Sequence, residues 1–465
     1  GLFAGRTLVN INFTASEPAQ LAALEQGEVE TILTAHKFVS KLKARGLDPE
    51  ALFEGRQVVY MEDLKAGIGK TEALVTMFLL SVLPASLLQW WLGAGTKVED
   101  TAAILFSSGS EGAPKGVMLS HRNILANLRQ IADVLNIRED DCIMATLPLF
   151  HAFGLTVTTF LPLIEGLPVV CHPDPTDAVN IGKGVARYRA TMICATSTFL
   201  RLYTRSKKLH PLMFQSVRVA VAGAEKLDPA VQQAFESRFR VPVVEGYGST
   251  ETTPVASVNL PDYLSVDGWF VQVGTRPGTV GMALPGSTFR IVDPVTLEEL
   301  PTGEDGLILI GGTQIMKGYL NNPEKTAEVI VELDGLRWYK SGDKGHLDED
   351  GFLTIVDRYS RFAKLGGEMV SLGAVEQEIR KHFADDESAL VAINLPDERK
   401  GEQIVLLVTA DIDPESFRRY LISEGVPPLM LPARVFRVDE IPLLGSGKIN
   451  YPAAKAVAEQ LMGVA

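Results

Sequence analysis

The pattern of apolar and polar positions changes character several times along the 465-residue chain, and each change predicts a different kind of element. Between Thr101 and about Arg358, short continuous apolar runs (AAILFSS, TMICATS, VRVAVAG) alternate with segments of helical period (RNILANLRQIADVL, DPAVQQAFESRF). Continuous runs suit strands covered on both faces, and the 3.6-residue period suits the helices that cover them, so the alternation predicts parallel sheets with helical crossovers. The stretch GTRPGTVGMALPG then leads into FRIVD, GLILIGG and GFLTIVD, short runs that predict an antiparallel or barrel-like appendix. After about Ser360, the helical AVEQEIRKHF, the strand-like EQIVLLVTA and the helical ESFRRYLISE form one compact set, a small α+β domain. The expected fold class is α/β, with a large domain over residues 1–359 and a small C-terminal domain over 360–465.

The first 64 residues combine a strand-like start, TLVNINF, with a run read as helical throughout, EVETILTAHKFVSKLKA. From Leu74 to Leu92 the chain reads LVTMFLLSVLPASLLQWWL, with no formal charge. Pro84 interrupts it, and Ser81, Ser86 and Gln89 dilute it, so a membrane span, an interfacial segment anchored by Trp90 and Trp91, and a buried helical hairpin all remain open.

Composition narrows the partners. A net charge of −13 and a pI near 5.2 argue against a general nucleic-acid surface. Cys142, Cys171 and Cys194 form no C-x-x-C pair, and no histidines stand at metal-ligand spacing, so neither a disulfide framework nor a zinc site is expected. A reducing, cytosol-facing setting fits. The opening GLFAGRTLVNINFTAS lacks the features of a signal peptide and reads as the middle of a domain.

One loop concentrates candidate chemistry. SSGSEGAPKGV, Ser107 to Val117, follows the run AAILF and is expected to lead toward a helix. Glycines let backbone N–H groups converge on an anion, serines add donors, and a lysine adds mobile positive charge; Ser107, Ser108, Gly109, Ser110, Gly112 and Lys115 thus make a candidate phosphate cradle. It is not the G-x-x-x-x-G-K-[ST] pattern; LKAGIGKT comes nearest to that, with Leu64 where the first glycine belongs.

Downstream stand LPLFHAFG (147–154), VAGAEKL (221–227), EGYGSTET (245–252), WYKSGDKG (338–345), VDRYSRFAKLGGEMVSLGAVE (356–376) and LLGSGKIN (443–450). In this order the seven motifs resemble the adenylate-forming superfamily of acyl-CoA synthetases, luciferases and peptide-synthetase adenylation domains, over nearly the whole chain. GSEG in the loop, RFAKLGGEMVSL and PLLGSGK are most similar to the acyl-acyl carrier protein synthetase part of the bacterial bifunctional 2-acylglycerophosphoethanolamine acyltransferases.

The resemblance implies ATP and Mg2+ as cofactors and a role for each matching residue. Glu251 is implied as the magnesium ligand, with a solvated turn glutamate as the plain alternative. Asp343 is implied to hold the ribose hydroxyls and Arg358 the ribose or phosphate. Tyr247 would stack on adenine, with Ala224, Glu225, Gly248 and Thr250 around the nucleotide; a core tyrosine is the alternative. Lys448 would carry the catalytic ammonium on a mobile small domain, and Gly366 and Gly367 would line the tunnel for the thiol. His151 stands either at the mouth of the acyl pocket or as a packed neutral histidine.

There are departures. Ser360 occupies the position of the usual aspartate or lysine hinge, and Glu111 replaces a threonine. His172 and Asp177 have the acyltransferase spacing H-x-x-x-x-D without acyltransferase surroundings, and the chain reads as truncated at its N-terminus, so lysophospholipid acylation would belong to a segment outside it. The resemblance therefore implies an ATP-dependent fatty acid:acyl carrier protein ligase in the bacterial cytoplasm or on the cytoplasmic face of the inner membrane. CoA is the alternative acceptor, and an inactive membrane scaffold is the remote alternative. Arg358, Arg361, Lys364, Arg380 and Lys381 are expected to offer a basic face to an acidic carrier.

Overall fold

A computed structural model describes the chain except residues 1, 3–4, 45–47, 94, 108–113, 366–367, 384–388, 398–400, 444–448 and 464–465. At its centre stands a seven-stranded sheet in the order Met282–Ala283, Val255–Val258, Val243–Gly248, Val219–Ala222, Met192–Ala195, Ile143–Ala145, Val169–Cys171. The strands from Val243–Gly248 to Val169–Cys171 run parallel, while the two at the other edge are antiparallel. Met192–Ala195 and Val219–Ala222 are buried at every position, as their continuous apolar runs require of strands covered on both faces.

Each face has its own apolar layer. Ile181, Phe199, Leu200, Phe235 and Phe239 from three helices pack against Ala220, Ala222 and Val243 on one side. Leu128, Ile131 and Leu161 pack with Val219, Val221 and Val244 on the other. The helix His121–Val134 starts where its sequence predicts, because Ser120 and Asn123 form a reciprocal capping box.

A second sheet orders Leu8–Asn10, Thr101–Ser107, Lys115–Ser120 and Gly318–Tyr319. Here the glycine-rich loop differs from expectation. It leads into the strand Lys115–Ser120, with Ser107 paired opposite Lys115, and the helix begins only at His121. The buried alternation of Val117 and Leu119 explains this, since a period of two suits a strand.

The appendix is antiparallel. Ser287–Val292, Gly306–Gly312, Leu336–Leu347 and Ile330–Leu333 form a sheet, and Leu353–Arg358 pairs with the long strand Leu336–Leu347. Beyond it, Glu368–Ser371, Phe362–Leu365, Gly401–Val408 and Leu390–Asp397 form a further sheet, with Arg434–Arg437 parallel to Gly401–Val408. Helices Leu372–Arg380 and Pro414–Ser423 contribute to one apolar cluster of this C-terminal part and Tyr451–Met462 to another, and neither cluster contains a buried residue from before Ala363.

Two N-terminal expectations are corrected. EVETILTAHKFVSKLKA is not one helix: Thr31–Thr34 is a strand parallel to Gln57–Tyr60, and the helix is His36–Ala44. β-branched Thr31, Ile32 and Thr34 favour the strand, and the pairing decides between two compatible patterns. The apolar run 74–92 is not a buried hairpin: helices Lys70–Val82 and Ala85–Leu92 meet at Pro84 and contain no buried residue. Among the described residues no helix is long and apolar enough to cross a membrane.

One polar knot anchors the N-terminal ends of three parallel strands. Asp141, just before Ile143–Ala145, accepts bonds from Arg218 Nε and Nη2 at 2.8 Å each, from Thr191 Oγ1 at 2.6 Å and from the Arg138 N–H at 2.9 Å. Thr191 and Arg218 immediately precede the strands Met192–Ala195 and Val219–Ala222. Burial opposes ionisation of Asp141, but Arg218 and the other donors together hold its carboxyl below the ordinary range. Arg218→Ala should therefore strand a buried charge and lower stability by about 3 kcal/mol in chemical denaturation followed by circular dichroism, whereas an exposed arginine such as Arg129 should cost under about 0.5 kcal/mol.

Candidate functional site

The strand Val243–Gly248 ends in a turn that only glycine permits at its pivot. A Cβ on Gly248 would lie 1.8 Å from the Pro254 carbonyl oxygen. The close approach folds the chain through Ser249 into the tight turn Thr250–Thr252, which carries Glu251. Tyr247, one residue before the pivot, donates its hydroxyl to Asp343 Oδ2 at 2.5 Å. Asp343 lies opposite Arg358 in the register of Leu336–Leu347 with Leu353–Arg358, and Arg358 Nε stands 3.0 Å from Asp343 Oδ1.

Asp343 is 5% exposed. Burial pushes its carboxyl up, against the pull of Arg358 and the Tyr247 hydroxyl. The negative field acts on Arg358 in turn: Asp343 foremost, and Glu251 more weakly, favour its charged form. Asp343, Tyr247, Arg358 and Glu251 therefore share one electrostatic neighbourhood. It joins the C-terminal end of the central-sheet strand Val243–Gly248 to the antiparallel appendix.

Glu251 is 9% exposed and accepts the Tyr319 hydroxyl on Oε1 at 2.8 Å. Tyr319 belongs to the strand Gly318–Tyr319, paired with Lys115–Ser120, and the ammonium of Lys115 lies 5.9 Å from the centroid of the Tyr319 ring. Lys115 and Glu251, widely separated in sequence, thus meet through a tyrosine that no motif had singled out. Only its place opposite Val117 reveals it.

The loop after Val219–Ala222 forms a third wall. Gly223 lies against the Phe153 ring, and Ala224 takes a left-handed backbone with φ of 72°. Glu225 turns its carboxylate to the Thr198 N–H at 2.5 Å. His151 caps the short helix Ala152–Leu155, its Nδ1 accepting from the Phe153 N–H at 3.3 Å, so its own helix presses on the loop that carries Ala224. Glu245 was also missed by sequence reasoning: it accepts the Leu227 N–H at 2.8 Å and clasps the same loop to the central sheet. Burial pushes its carboxyl up to about 7.

Several predicted residues lie outside the described ones: Ser108, Gly109, Ser110, Glu111 and Gly112 in the loop, Gly366 and Gly367, and Lys448. Ser107 and Lys115 are described and flank the loop on paired strands. Ser360 sits exposed in the turn Tyr359–Arg361. The expected basic face is thinner than its sequence suggests. Arg361 is mostly buried and paired with Glu376 at 2.6 Å, Arg358 is turned to Asp343, and Lys381 is paired with Glu378. His172 and Asp177 approach to 3.6 Å, but Asp177 caps the helix Ala178–Tyr188, a structural use.

The residues fit a nucleotide with a hard divalent cation. Glu251 takes part in no salt bridge among the described residues, and its Oε1 accepts the neutral Tyr319 hydroxyl, so its charge is left for a cation. Magnesium takes one or two carboxylates and completes its shell with water and phosphate oxygens, so a single buried carboxylate such as Glu251 beside a nucleotide suits it.

Known proteins resemble this chain in sequence and in fold. A sequence profile described as AMP-binding enzyme matches residues 2–320. The chain is 32% identical to 4-coumarate--CoA ligase 5 of Oryza sativa subsp. japonica over 361 residues, 75% of this chain and 64% of that protein. It is 31% identical to the long-chain-fatty-acid--CoA ligase of Bacillus subtilis over 358 residues, 75% of this chain and 60% of that protein. The chain thus spans less than two thirds of the length of these relatives. Among solved structures, ATP-bound MatB from Rhodopseudomonas palustris superimposes with a TM-score of 0.77 at 25% identity, covering 99% of this chain and 84% of that one.

The Glu245 carboxyl has a pH signature. Its folded value of about 7 lies above the ordinary carboxylate value, so the proton is held more tightly in the folded state. Its contribution to stability should be fully present below about pH 4.5 and be lost, by up to about 3 kcal/mol, as pH rises through about 7. Glu245→Gln should flatten that part of the stability–pH profile, measured by thermal denaturation across buffers.

Proposed function

The chain belongs to the AMP-binding enzyme family, and on that footing we propose that it is an ATP-dependent ligase that activates a fatty acid as its acyl-adenylate and passes the acyl group to the phosphopantetheine thiol of acyl carrier protein. The observation that carries this reading is the convergence of Tyr247, Asp343 and Arg358 with Glu251 and Lys115 in one electrostatic neighbourhood.

In the first step a carboxylate oxygen attacks the α-phosphorus of ATP, the bond to the β-phosphate breaks, and pyrophosphate leaves. In the second, the thiol sulfur attacks the acyl carbon, its proton passes to solvent, and AMP departs. Asp343 accepts the ribose hydroxyls, an acceptor-only task, in exchange for the contacts it now makes with Tyr247 and Arg358. Tyr247 and the Ala224 loop border the adenine; Gly248 and Thr250 shape the turn beside it. Ser107, Ser108, Gly109, Ser110, Gly112 and Lys115 bind the phosphates. Glu251 holds magnesium, which when bound offsets phosphate charge. Lys448 brings an ammonium to the attacking carboxylate and α-phosphate from a small domain, residues 360–465, that moves against residues 1–359. Gly366 and Gly367 line the thiol's path, and His151 stands at the acyl side.

The acceptor is drawn from GSEG, RFAKLGGEMVSL and PLLGSGK, which resemble the acyl-acyl carrier protein synthetases. A second reading has support in the relatives, whose names specify CoA as the thiol. Holo-acyl carrier protein and CoA offered together, with ATP, Mg2+ and either a long-chain fatty acid or 4-coumarate, should give fatty acyl thioester on the carrier. Product on CoA alone would establish the second reading.

Contact with a membrane surface belongs to the same proposal. Leu74, Met77, Phe78 and Trp90 stand exposed, Trp90 to 79%, on a segment without charge, and Tyr263, Trp269 and Phe270 are exposed on the hairpin Tyr263–Ser265 with Phe270–Gln272. Helices apolar on all sides suit burial or a lipid interface rather than water. Phe78→Glu with Trp90→Glu should reduce sedimentation with phosphatidylethanolamine-containing vesicles at least about fivefold, with adenylation retained; unchanged sedimentation would discard the contact at this segment.

A further inference from the structure

We propose that Tyr319 is a positioning residue that couples the metal-holding carboxylate to the phosphate-binding lysine. This rests on the assignment of Glu251 and Lys115 made above. The phenol does two separable things. Its hydroxyl donates to Glu251 Oε1 at 2.8 Å, and its ring faces the Lys115 ammonium at 5.9 Å.

Tyr319 is itself held on several sides. Its backbone N–H donates to Thr326 Oγ1 at 2.9 Å, and the next N–H, of Leu320, donates to the Gly116 carbonyl at 2.7 Å. The Lys317 N–H reaches the Met118 carbonyl at 3.0 Å, and the Met316 N–H reaches the Glu251 carbonyl at 2.8 Å. Gly318 is required, because a Cβ there would stand 2.8 Å from Thr326 Cγ2 at a φ of 154°. The residues from Met316 to Leu320 are therefore stitched to the loop of Glu251 on one side and to the strand of Lys115 on the other. Tyr319 is the one whose side chain reaches both.

The consequence follows from hydrogen-bond geometry. A phenol has one proton to give, and at neutral pH it keeps that proton. Spent on Oε1, that proton fixes the carboxylate plane and leaves Oε2 to present to a cation. The same ring offers its π-face to Lys115, so the separation between the anionic and cationic groups is set by one rigid side chain. Loss of the hydroxyl should loosen the metal without loosening the phosphates; loss of the ring should loosen both.

Mn2+ serves as the probe, read by electron paramagnetic resonance on the full chain with ATP, alongside ATP binding in EDTA and thermal denaturation. Tyr319→Phe should weaken Mn2+ binding to the ATP complex about tenfold, while ATP affinity without metal stays within about twofold and the melting temperature is held. Tyr319→Leu should weaken metal-free ATP binding by about threefold or more in addition. Glu251→Gln separates the two levels of inference. If it weakens Mn2+ binding while Tyr319→Phe matches the parent, the coupling is overturned and the function stands. If Glu251→Gln itself binds Mn2+ like the parent, the metal assignment falls and the coupling with it. Equal losses in both ATP conditions for Tyr319→Phe would reduce Tyr319 to a packing role and also overturn the proposal.

Discussion

Removing a carboxylate from water costs free energy that only directed hydrogen bonds or a cation can return, and the fold removes two of them side by side, Asp343 and Glu251. Each is answered by a tyrosine hydroxyl from a different part of the fold. Tyr247, on the central sheet, reaches Asp343 on the antiparallel appendix; Tyr319, on the sheet that carries Lys115, reaches Glu251 on the turn after the central sheet. These two bonds tie three sheets to one another. At Glu251 the donor is neutral and orients the carboxylate without neutralising it, whereas Asp343 also pairs with the Arg358 guanidinium.

The same logic explains why the neighbourhood is built from turns rather than helix ends. The glycine-rich stretch is followed by a strand rather than a helix, so Lys115 stands on a paired strand and not at a helix N-terminus. Gly248 allows the chain to pass against the Pro254 carbonyl and swing Glu251 toward Tyr319. Glu245 clasps the loop of Ala224 from behind. Rigid sheets therefore carry the side chains, and short strained turns aim them.

What was legible in the sequence follows from this division. Strands buried on both faces, such as Met192–Ala195 and Val219–Ala222, announce themselves as continuous apolar runs. Tyr247, Glu251, Asp343 and Arg358 stand in short glycine-marked motifs. Tyr319 stands in none of them, and Glu245 opens EGYGSTET without a role read from it, because their importance comes from sheet register and from a loop folded across them, neither of which periodicity encodes. Thr31–Thr34 was hidden inside a run of mixed period until its partner Gln57–Tyr60 decided it, and Arg361 looked like surface charge until Glu376 paired with it. The hairpin Tyr263–Ser265 with Phe270–Gln272 escaped notice because strands of three residues leave no periodic signal.

The central claim is that the site directs a carboxylate onto the α-phosphorus of ATP. Fatty acid labelled with 18O in both carboxyl oxygens tests it most directly, with the nucleotide products analysed by mass spectrometry after turnover to thioester. An adenylate route predicts one labelled oxygen in AMP and none in pyrophosphate. Label in inorganic phosphate, with ADP as the nucleotide product, would mean attack at the γ-phosphorus and would contradict the account.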